Sequence, residues 1–329
     1  MDRRLLYPER LQEVTLVRIF VLVIIYWAVA SAAFSQDDTS ALRRRIAELE
    51  KENRQLRGIV VMRAFADKVK NGVRRDIPIE DGRQAKLVVA RDGWGSANPE
   101  DVAAVCVSCA ETIFRAIRPD KGREPTIFVI RDKQGPMTVS RRGPNGEYFV
   151  LLSSGDRHWS QVAYQFSHEL GHVLCGDLSL DMPQHWFEEA FCESLSLWTM
   201  DKMGVAWATK APYENWKSYA PSLTEYINDV RNQTESPASL AEWYQPNIAH
   251  LTRQPYDREK NRVIAKQLAI EAHKNPAFFQ AFHYMRLGGS EKQVNSMEWL
   301  LANWHSHCPK DLKFAPSVVA KMLNVNPRK

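Results

Sequence analysis

The sequence contains few cysteines, and their spacing does not build a zinc finger. Among its 329 residues are five cysteines, of which Cys106 and Cys109 form a C-x-x-C pattern. No second C-x-x-C and no histidine pair follows at zinc-finger spacing, and the pattern lies within an apolar helical segment. A disulfide-dense scaffold is therefore excluded. We predict that both cysteines are buried free thiols.

The sequence also lacks a long run of charge of one sign. It has 44 Lys+Arg against 39 Asp+Glu, a formal net charge of +5, and its only dense basic run, residues 43–45, is soon followed by acids. A nucleic-acid-binding surface normally carries a one-signed patch, so no nucleic-acid partner is predicted. With 44% hydrophobic and 25% charged residues and no repeat or low-complexity tract, the composition is that of a globular protein and excludes a disordered chain.

No apolar run reaches the roughly 20 residues that a membrane-spanning helix needs. Residues 19–33 are 15 residues without a charge, and Arg18 directly precedes them. This length fits the apolar region of a signal peptide, and small residues suited to cleavage follow it. We predict that residues 1–35 are a signal peptide, with an uncleaved membrane anchor over residues 16–34 or a buried core helix as alternatives. The first two interpretations place the remainder outside the cytoplasm, either secreted, periplasmic or anchored to a membrane.

Residues 36–77 are predicted to form a helical stalk and linker. Between residues 42 and 60, the residues that would face a partner helix, here called the seam, follow one another at intervals of 4, 3, 4, 3 and 4 residues. This is a heptad pattern, and Asn53 occupies an a position in it. A buried asparagine at such a position favours a parallel pair of helices. The pattern predicts a homodimer formed through residues 42–60, and the alternative is a short amphipathic helix that packs on its own protein.

The rest of the chain changes near residue 156 from a mixture of strand and helix patterns to mainly helical patterns. Residues 78–155 contain strand patterns and one helix that begins at Asn98-Pro99, whereas residues 156–329 are mainly helical, with weaker periodicity over 205–255. This order predicts an α+β fold, with a small mixed-sheet half followed by a helical half. The predicted strands are 86–91, 126–131, 137–141 and 148–153, and the predicted later helices are 158–175, 184–203, 258–273, 276–287, 295–305 and 315–323.

The strongest chemical signal is the H-E-x-x-H pattern formed by residues 168–172. His168 and His172 are four residues apart in a predicted helix, so both rings project from one face and can bind one Zn²⁺. Glu169 lies one residue further around the helix, beside the metal rather than on it. There it can take a proton from a water molecule at the metal.

A candidate for the third ligand lies in the next predicted helix. Glu189 follows His172 by 17 residues, and Glu193 lies four residues further on the same helical face. One of these acids can bind zinc while the other accepts a hydrogen bond from a ligand histidine. A solvated acidic face is the alternative, and the neighbouring aromatic residues Trp186 and Phe187 oppose it.

The sequence resembles the gluzincins, which are metallopeptidases with two zinc-binding histidines on one helix and a glutamate on the next. The segment W-F-E-E-A-F over residues 186–191 resembles the W-[LF]-x-E-[GA]-[FA] block of that family. The resemblance implies that Glu189 is the zinc ligand and that Glu193 supports a ligand histidine. Glu188 stands where the family often has Asn. Because the linker is slightly shorter than in the best-known members, His185 and Glu188 remain alternative ligands.

A second block lies before a predicted helix start. Gln254-Pro255-Tyr256-Asp257 resembles the P-Y-[ED]-K-G block of aminopeptidase-type gluzincins, although Arg258 and Glu259 replace the Lys-Gly pair. The resemblance implies that Tyr256 donates a hydrogen bond to the oxyanion. A tyrosine packed beneath the helix start is the alternative.

Taken together, these residues predict an exported zinc-dependent peptidase with a zincin-like fold and a peptide or protein substrate. The resemblance also implies that strand 148–153 is an edge strand that pairs with extended substrate. The G-x-M-E-N block that anchors a substrate amino terminus is not present, so the sequence does not predict an aminopeptidase. Two alternatives remain, namely an inactive zincin-like interaction module on a coiled-coil stalk and a zinc hydrolase of a non-peptide bond.

Overall fold

The computed structural model describes residues 43–49, 61–175, 183–285 and 296–327. The chain divides into two units, residues 1–60 and residues 61–329. In the first unit, residues 43–49 are helical and Leu49 is 40% exposed. The predicted signal or anchor segment and most of the heptad pattern lie outside the described residues. No helix in the described parts of the chain has the length and apolar character needed to cross a membrane.

A five-stranded mixed sheet opens the second unit. The strands are β1 (Val73–Pro78), β2 (Gln84–Val89), β3 (Thr126–Arg131), β4 (Met137–Thr138) and β5 (Tyr148–Leu152). The three inner strands, β2, β3 and β5, run parallel, and an antiparallel strand borders them on each side in the order β1-β2-β3-β5-β4. β1 overlaps the end of residues 36–77, the predicted stalk and linker, and its residues Val73 and Ile77 are buried in the core.

The prediction that the strand after residue 147 is an edge strand is wrong. β5 has β3 on one side and β4 on the other, where Met137 pairs with Leu151 and Thr138 with Val150. The chain can return this closely because Gly135 has no side chain, and a Cβ there would lie 2.9 Å from the Leu151 carbonyl oxygen. The edge strand on this side is therefore the two-residue strand β4.

Both faces of the sheet are covered by helices, as the alternation of its apolar residues requires. Leu87, Val129 and Val150 point into the main core, whereas their neighbours Val88 and Phe149 pack on the opposite face. Helical residues 61–69 cover that opposite face, and Met62 and Val69 supply its buried contacts. The main core is covered by α1 (Pro99–Phe114), which Asn98 caps by accepting a hydrogen bond from the Glu100 amide, and by α2 (Trp159–Cys175).

The remainder of the described chain is helical, which confirms the α+β prediction. The helices after α2 are α3 (His185–Lys210), α4 (Ala220–Asn232), α5 (Leu240–Arg253), α6 (Arg258–Lys274), α7 (Ala277–Phe282), α8 (Met297–His307) and α9 (Phe314–Leu323). α3 packs against both α2 and α6. α4 and α5 lie within the region of weaker periodicity, where no helix was predicted.

Candidate metal centre

The candidate centre lies where α2 and α3 pack closely against each other. Gly171 faces Cys192 across this contact, and a Cβ on Gly171 would lie 2.8 Å from the Cys192 sulfur and 3.3 Å from its Cα. The absence of a side chain at Gly171 therefore lets the two helices approach. All five cysteines are buried and none forms a disulfide, as predicted for Cys106 and Cys109.

This approach brings the three residues predicted to bind metal together. The Nε2 atom of His168 lies 3.2 Å from Oε2 of Glu189, and the Nε2 atom of His172 lies 3.5 Å from Oε1 of the same carboxylate. One donor atom from each residue lies within 4.8 Å of the others. Two imidazole nitrogens and a carboxylate are a donor set that Zn²⁺ prefers, so the residues present fit this ion.

His168 is held by a buried network through its other ring nitrogen. Nδ1 of His168 donates to Oε2 of Glu193 at 3.2 Å. The hydroxyl of Tyr164 and Nε of Arg262 each donate to Oε1 of Glu193 at 2.6 Å. Glu193 is thus fully buried yet has a partner on both oxygens, and the structure places it where the sequence predicts the supporting acid. The network leaves Nε2 of His168 directed at Glu189.

His172 has a carboxylate partner of its own, which the sequence did not predict in this role. Nδ1 of His172 donates to Oε1 of Glu188 at 2.6 Å, and Glu188 is only 1% exposed. Glu188 therefore fixes the ring of His172 with Nε2 facing Glu189, as outer partners of metal-binding histidines commonly do. Glu188 also forms, with His172 and Cys192, a second group of donor atoms within 4.8 Å of one another. That group shares His172 with the first. The thiol of Cys192 is buried, and burial raises its pKa.

The carboxylates determine the charge of the histidines. Burial alone would lower the pKa of His168, but its hydrogen bonds to Glu189 and Glu193 outweigh that effect and raise the pKa to about 10. For His172, burial is likewise outweighed by Glu188, and the pKa rises to about 9. Burial would raise the pKa of Glu189, but the surrounding histidines lower it well below its usual range. A cation that bound both Nε2 atoms would therefore have to displace protons.

Glu169, the predicted proton acceptor, lies beside the candidate ligands on α2. It is 2% exposed, and burial raises the pKa of its carboxyl while the nearby histidines and Thr138 oppose that rise. The Thr138 hydroxyl lies 3.0 Å from Oε2 of Glu169 and 2.9 Å from its backbone oxygen, within donating distance of both. The edge strand β4 thus contacts Glu169 directly. No sequence pattern indicates a role for Thr138, because this contact depends on the return of the chain at Gly135.

Tyr256 lies on the opposite border of the candidate centre. It is 59% exposed, so it is not packed beneath the helix start, and its ring meets the ring of His185 at a centroid distance of 5.3 Å. Its pKa is raised first by partial burial and then by the charges of Glu189 and Glu188. Its hydroxyl is thus a neutral donor at neutral pH in the field of the centre. The structure brings all the predicted site residues into one region, namely His168, Glu169, His172, Glu189, Glu193 and Tyr256.

The comparisons with known proteins leave the family open. No protein-family model matches the chain, and no curated protein matches it. Among solved structures, the chain is similar to an aminopeptidase N family protein from Idiomarina loihiensis, at 12% sequence identity and a TM-score of 0.45. The alignment covers 78% of this chain and 47% of that chain, so this chain spans about half of that protein. At this distance the likeness assigns no activity.

Proposed function

We propose that this chain is an exported zinc-dependent peptidase whose metal ligands are His168, His172 and Glu189. One observation carries the proposal. The Nε2 atoms of both histidines converge on the Glu189 carboxylate while their Nδ1 atoms are held by the buried acids Glu193 and Glu188. This arrangement prepares three ligand atoms for a single cation and leaves room in its coordination for substrate.

The residues around these ligands supply the remaining chemistry. When bound, a zinc ion would polarise the scissile carbonyl and lower the pKa of water beside it. Glu169 takes a proton from the attacking water and delivers it to the leaving amine. The Thr138 hydroxyl restricts the orientation of the Glu169 carboxylate. Tyr256 donates its hydroxyl proton in a hydrogen bond to the oxygen on which negative charge develops.

A peptide substrate is favoured over other hydrolysable compounds by the position of β4. This strand pairs with β5 on one side only and contacts Glu169 through Thr138. An edge strand offers backbone N–H and C=O groups to an extended chain, which is a common means of binding peptides. Hydrolysis of a non-peptide bond would make no use of this strand. The inactive interaction module is the other alternative, and it would not require the buried Glu169 beside the three ligands.

The proposal is tested first by metal content. The purified protein should contain about one zinc per chain and cleave members of a peptide library, because two imidazoles and a carboxylate that converge on one point would hold a single zinc ion. His168→Ala should abolish both zinc content and cleavage. His158→Ala, which removes an exposed histidine just before α2, is the matched control and should change neither. Full zinc occupancy in His168→Ala would contradict the ligand assignment.

A further inference from the structure

A buried histidine beside the centre has no role in the chemistry described above. His185 opens α3 one turn before Glu189 and is 3% exposed. Neither of its ring nitrogens forms a hydrogen bond with any residue in the described parts of the chain. Buried polar side chains are nearly always paired, so an unpaired imidazole at a functional site calls for a partner that forms in another state of the protein.

The geometry identifies that partner. Nε2 of His185 lies 3.2 Å from Oε1 of Glu189, which is within hydrogen-bonding distance, but the pair does not have the full geometry of a hydrogen bond. The ring is stacked on His172, with a centroid distance of 6.4 Å and an interplanar angle of 13°, and is bordered by Tyr256. These contacts hold the ring in place. A modest rotation of the Glu189 carboxylate would be sufficient to complete the hydrogen bond.

The same pattern already holds for the two histidine ligands. His168 is bonded to Glu193 and His172 to Glu188, so each has an outer partner that fixes its orientation. In this structure the Glu189 carboxylate is instead shared among the facing nitrogens of the surrounding histidines. A cation between the ligands would take over the first two of those interactions and leave His185 as the neighbour of Glu189.

We infer that His185 is the positioning residue of Glu189, to which it donates its Nε2 proton when the centre holds zinc. This inference rests on the proposed function and extends it, because it assigns each of the three protein ligands a dedicated partner. His185 is not itself one of the ligands. The group of donor atoms that lie within 4.8 Å of one another contains His168, His172 and Glu189 but not His185.

Two substitutions of His185 distinguish a hydrogen-bond donor from a side chain that only packs. His185→Phe keeps an aromatic ring against His172 and Tyr256 but has no N–H, whereas His185→Gln carries an amide N–H at a reach similar to that of Nε2. The measurements are the zinc dissociation constant, by competition with a chelator, and the visible absorption spectrum of the Co²⁺-substituted protein. We expect His185→Phe to weaken zinc binding about 10- to 100-fold and to change the Co²⁺ spectrum. His185→Gln should bind zinc nearly as tightly as the unaltered protein.

The remaining outcomes would overturn the inference in distinguishable ways. Unchanged zinc affinity and an unchanged Co²⁺ spectrum in His185→Phe would show that the ring only packs. Loss of zinc from both variants, as complete as in His168→Ala, would show that His185 is a ligand. If His185→Phe does not fold, His185→Asn replaces it, because its shorter amide reaches only the position of Nδ1. His185→Asn should then bind zinc more weakly than His185→Gln, and equal affinities would refute the role.

The chelator competition needs no substrate, so it separates this inference from the proposed function. An unaltered protein that binds no zinc would refute the proposed function and the inference with it. An unaltered protein that binds zinc and cleaves peptides, together with a His185→Phe variant of the same zinc affinity, would refute the inference alone.

Discussion

At the scale of single residues, the acidic partners of the two histidines fix both the orientation and the charge of their rings. Glu188 and Glu193 hold the Nδ1 atoms, and the pKa values of His172 and His168 are raised to about 9 and about 10. Both rings therefore carry an additional proton at pH 7 in the metal-free protein. Because a metal binds only the neutral imidazole, zinc must displace one proton from each ring.

This exchange predicts the direction of the pH dependence of zinc binding. Below pH 9 both protons compete with zinc, so the apparent affinity should increase with pH, by up to about 100-fold per pH unit when two protons leave. Chelator competition at pH 6, 7 and 8 measures the slope, and calorimetry in buffers of different ionisation enthalpy counts the protons. The same affinity at pH 6 and pH 8 would contradict the assigned protonation of His168 and His172.

Residues also show which parts of the site a sequence can predict. That His168 and His172 share one helical face, and Glu189 and Glu193 another, could be predicted because the spacing of residues along a helix fixes which side chains lie together. The choice of Glu189 rather than Glu193 as a ligand came from the resemblance to the gluzincins. The bond from Thr138 to Glu169 could not be predicted, because it joins an edge strand to a helix that is distant in the chain. Contacts of this kind arise from tertiary packing, and no local periodicity in the sequence predicts them.

At the scale of elements, the contact between α2 and α3 determines whether the ligands meet. Gly171→Ala should improve the intrinsic helix propensity of α2 by about 1 kcal/mol. The added methyl group, however, would meet Cys192 at 2.8 Å, and such overpacking costs about 1–3 kcal/mol. We expect a lower melting temperature and weaker zinc binding, because α3 carries Glu189 away from the histidines as it shifts.

The matched variant for this prediction removes the sulfur that the new methyl group would meet. Cys192→Ala in the Gly171→Ala background should recover part of the lost stability and zinc affinity, which a double-mutant cycle with both single variants quantifies. Additive effects of the two substitutions would show that the helices do not depend on this contact.

The helices differ in how well the sequence pattern predicted them. α2 and α6 have long apolar periodicity and were predicted to within one residue at each end. α4 and α5 were missed, although Leu223, Ile227 and Val230 of α4 are buried at helical spacing. α4 is only 13 residues long and α5 contains Pro246, so each gives a short or interrupted pattern. Tertiary packing against α3, rather than local pattern, accounts for these helices.

At the scale of the whole molecule, the heptad pattern over residues 42–60 predicts that two chains associate. In the part of it that the structure describes, Leu49 is exposed at a seam position and Ile46 is half-buried. Substituting both with Asp should convert a dimer to a monomer in sedimentation equilibrium, because charges at seam positions oppose pairing. Arg44→Asp, outside the seam, is the control and should leave the mass unchanged. A dimer that survives both seam substitutions would place the interface elsewhere.

The substitution Glu169→Gln tests the proposed peptidase activity at its proton-transfer step. The amide is nearly isosteric with the carboxylate but cannot accept a proton at neutral pH, and proton transfer of this kind typically contributes about 10²–10⁴-fold. We predict that zinc content and melting temperature remain near those of the unaltered protein while peptide cleavage falls by about that factor. Undiminished cleavage by the zinc-loaded variant would contradict the assignment of Glu169, and loss of zinc would show that Glu169 holds the metal instead.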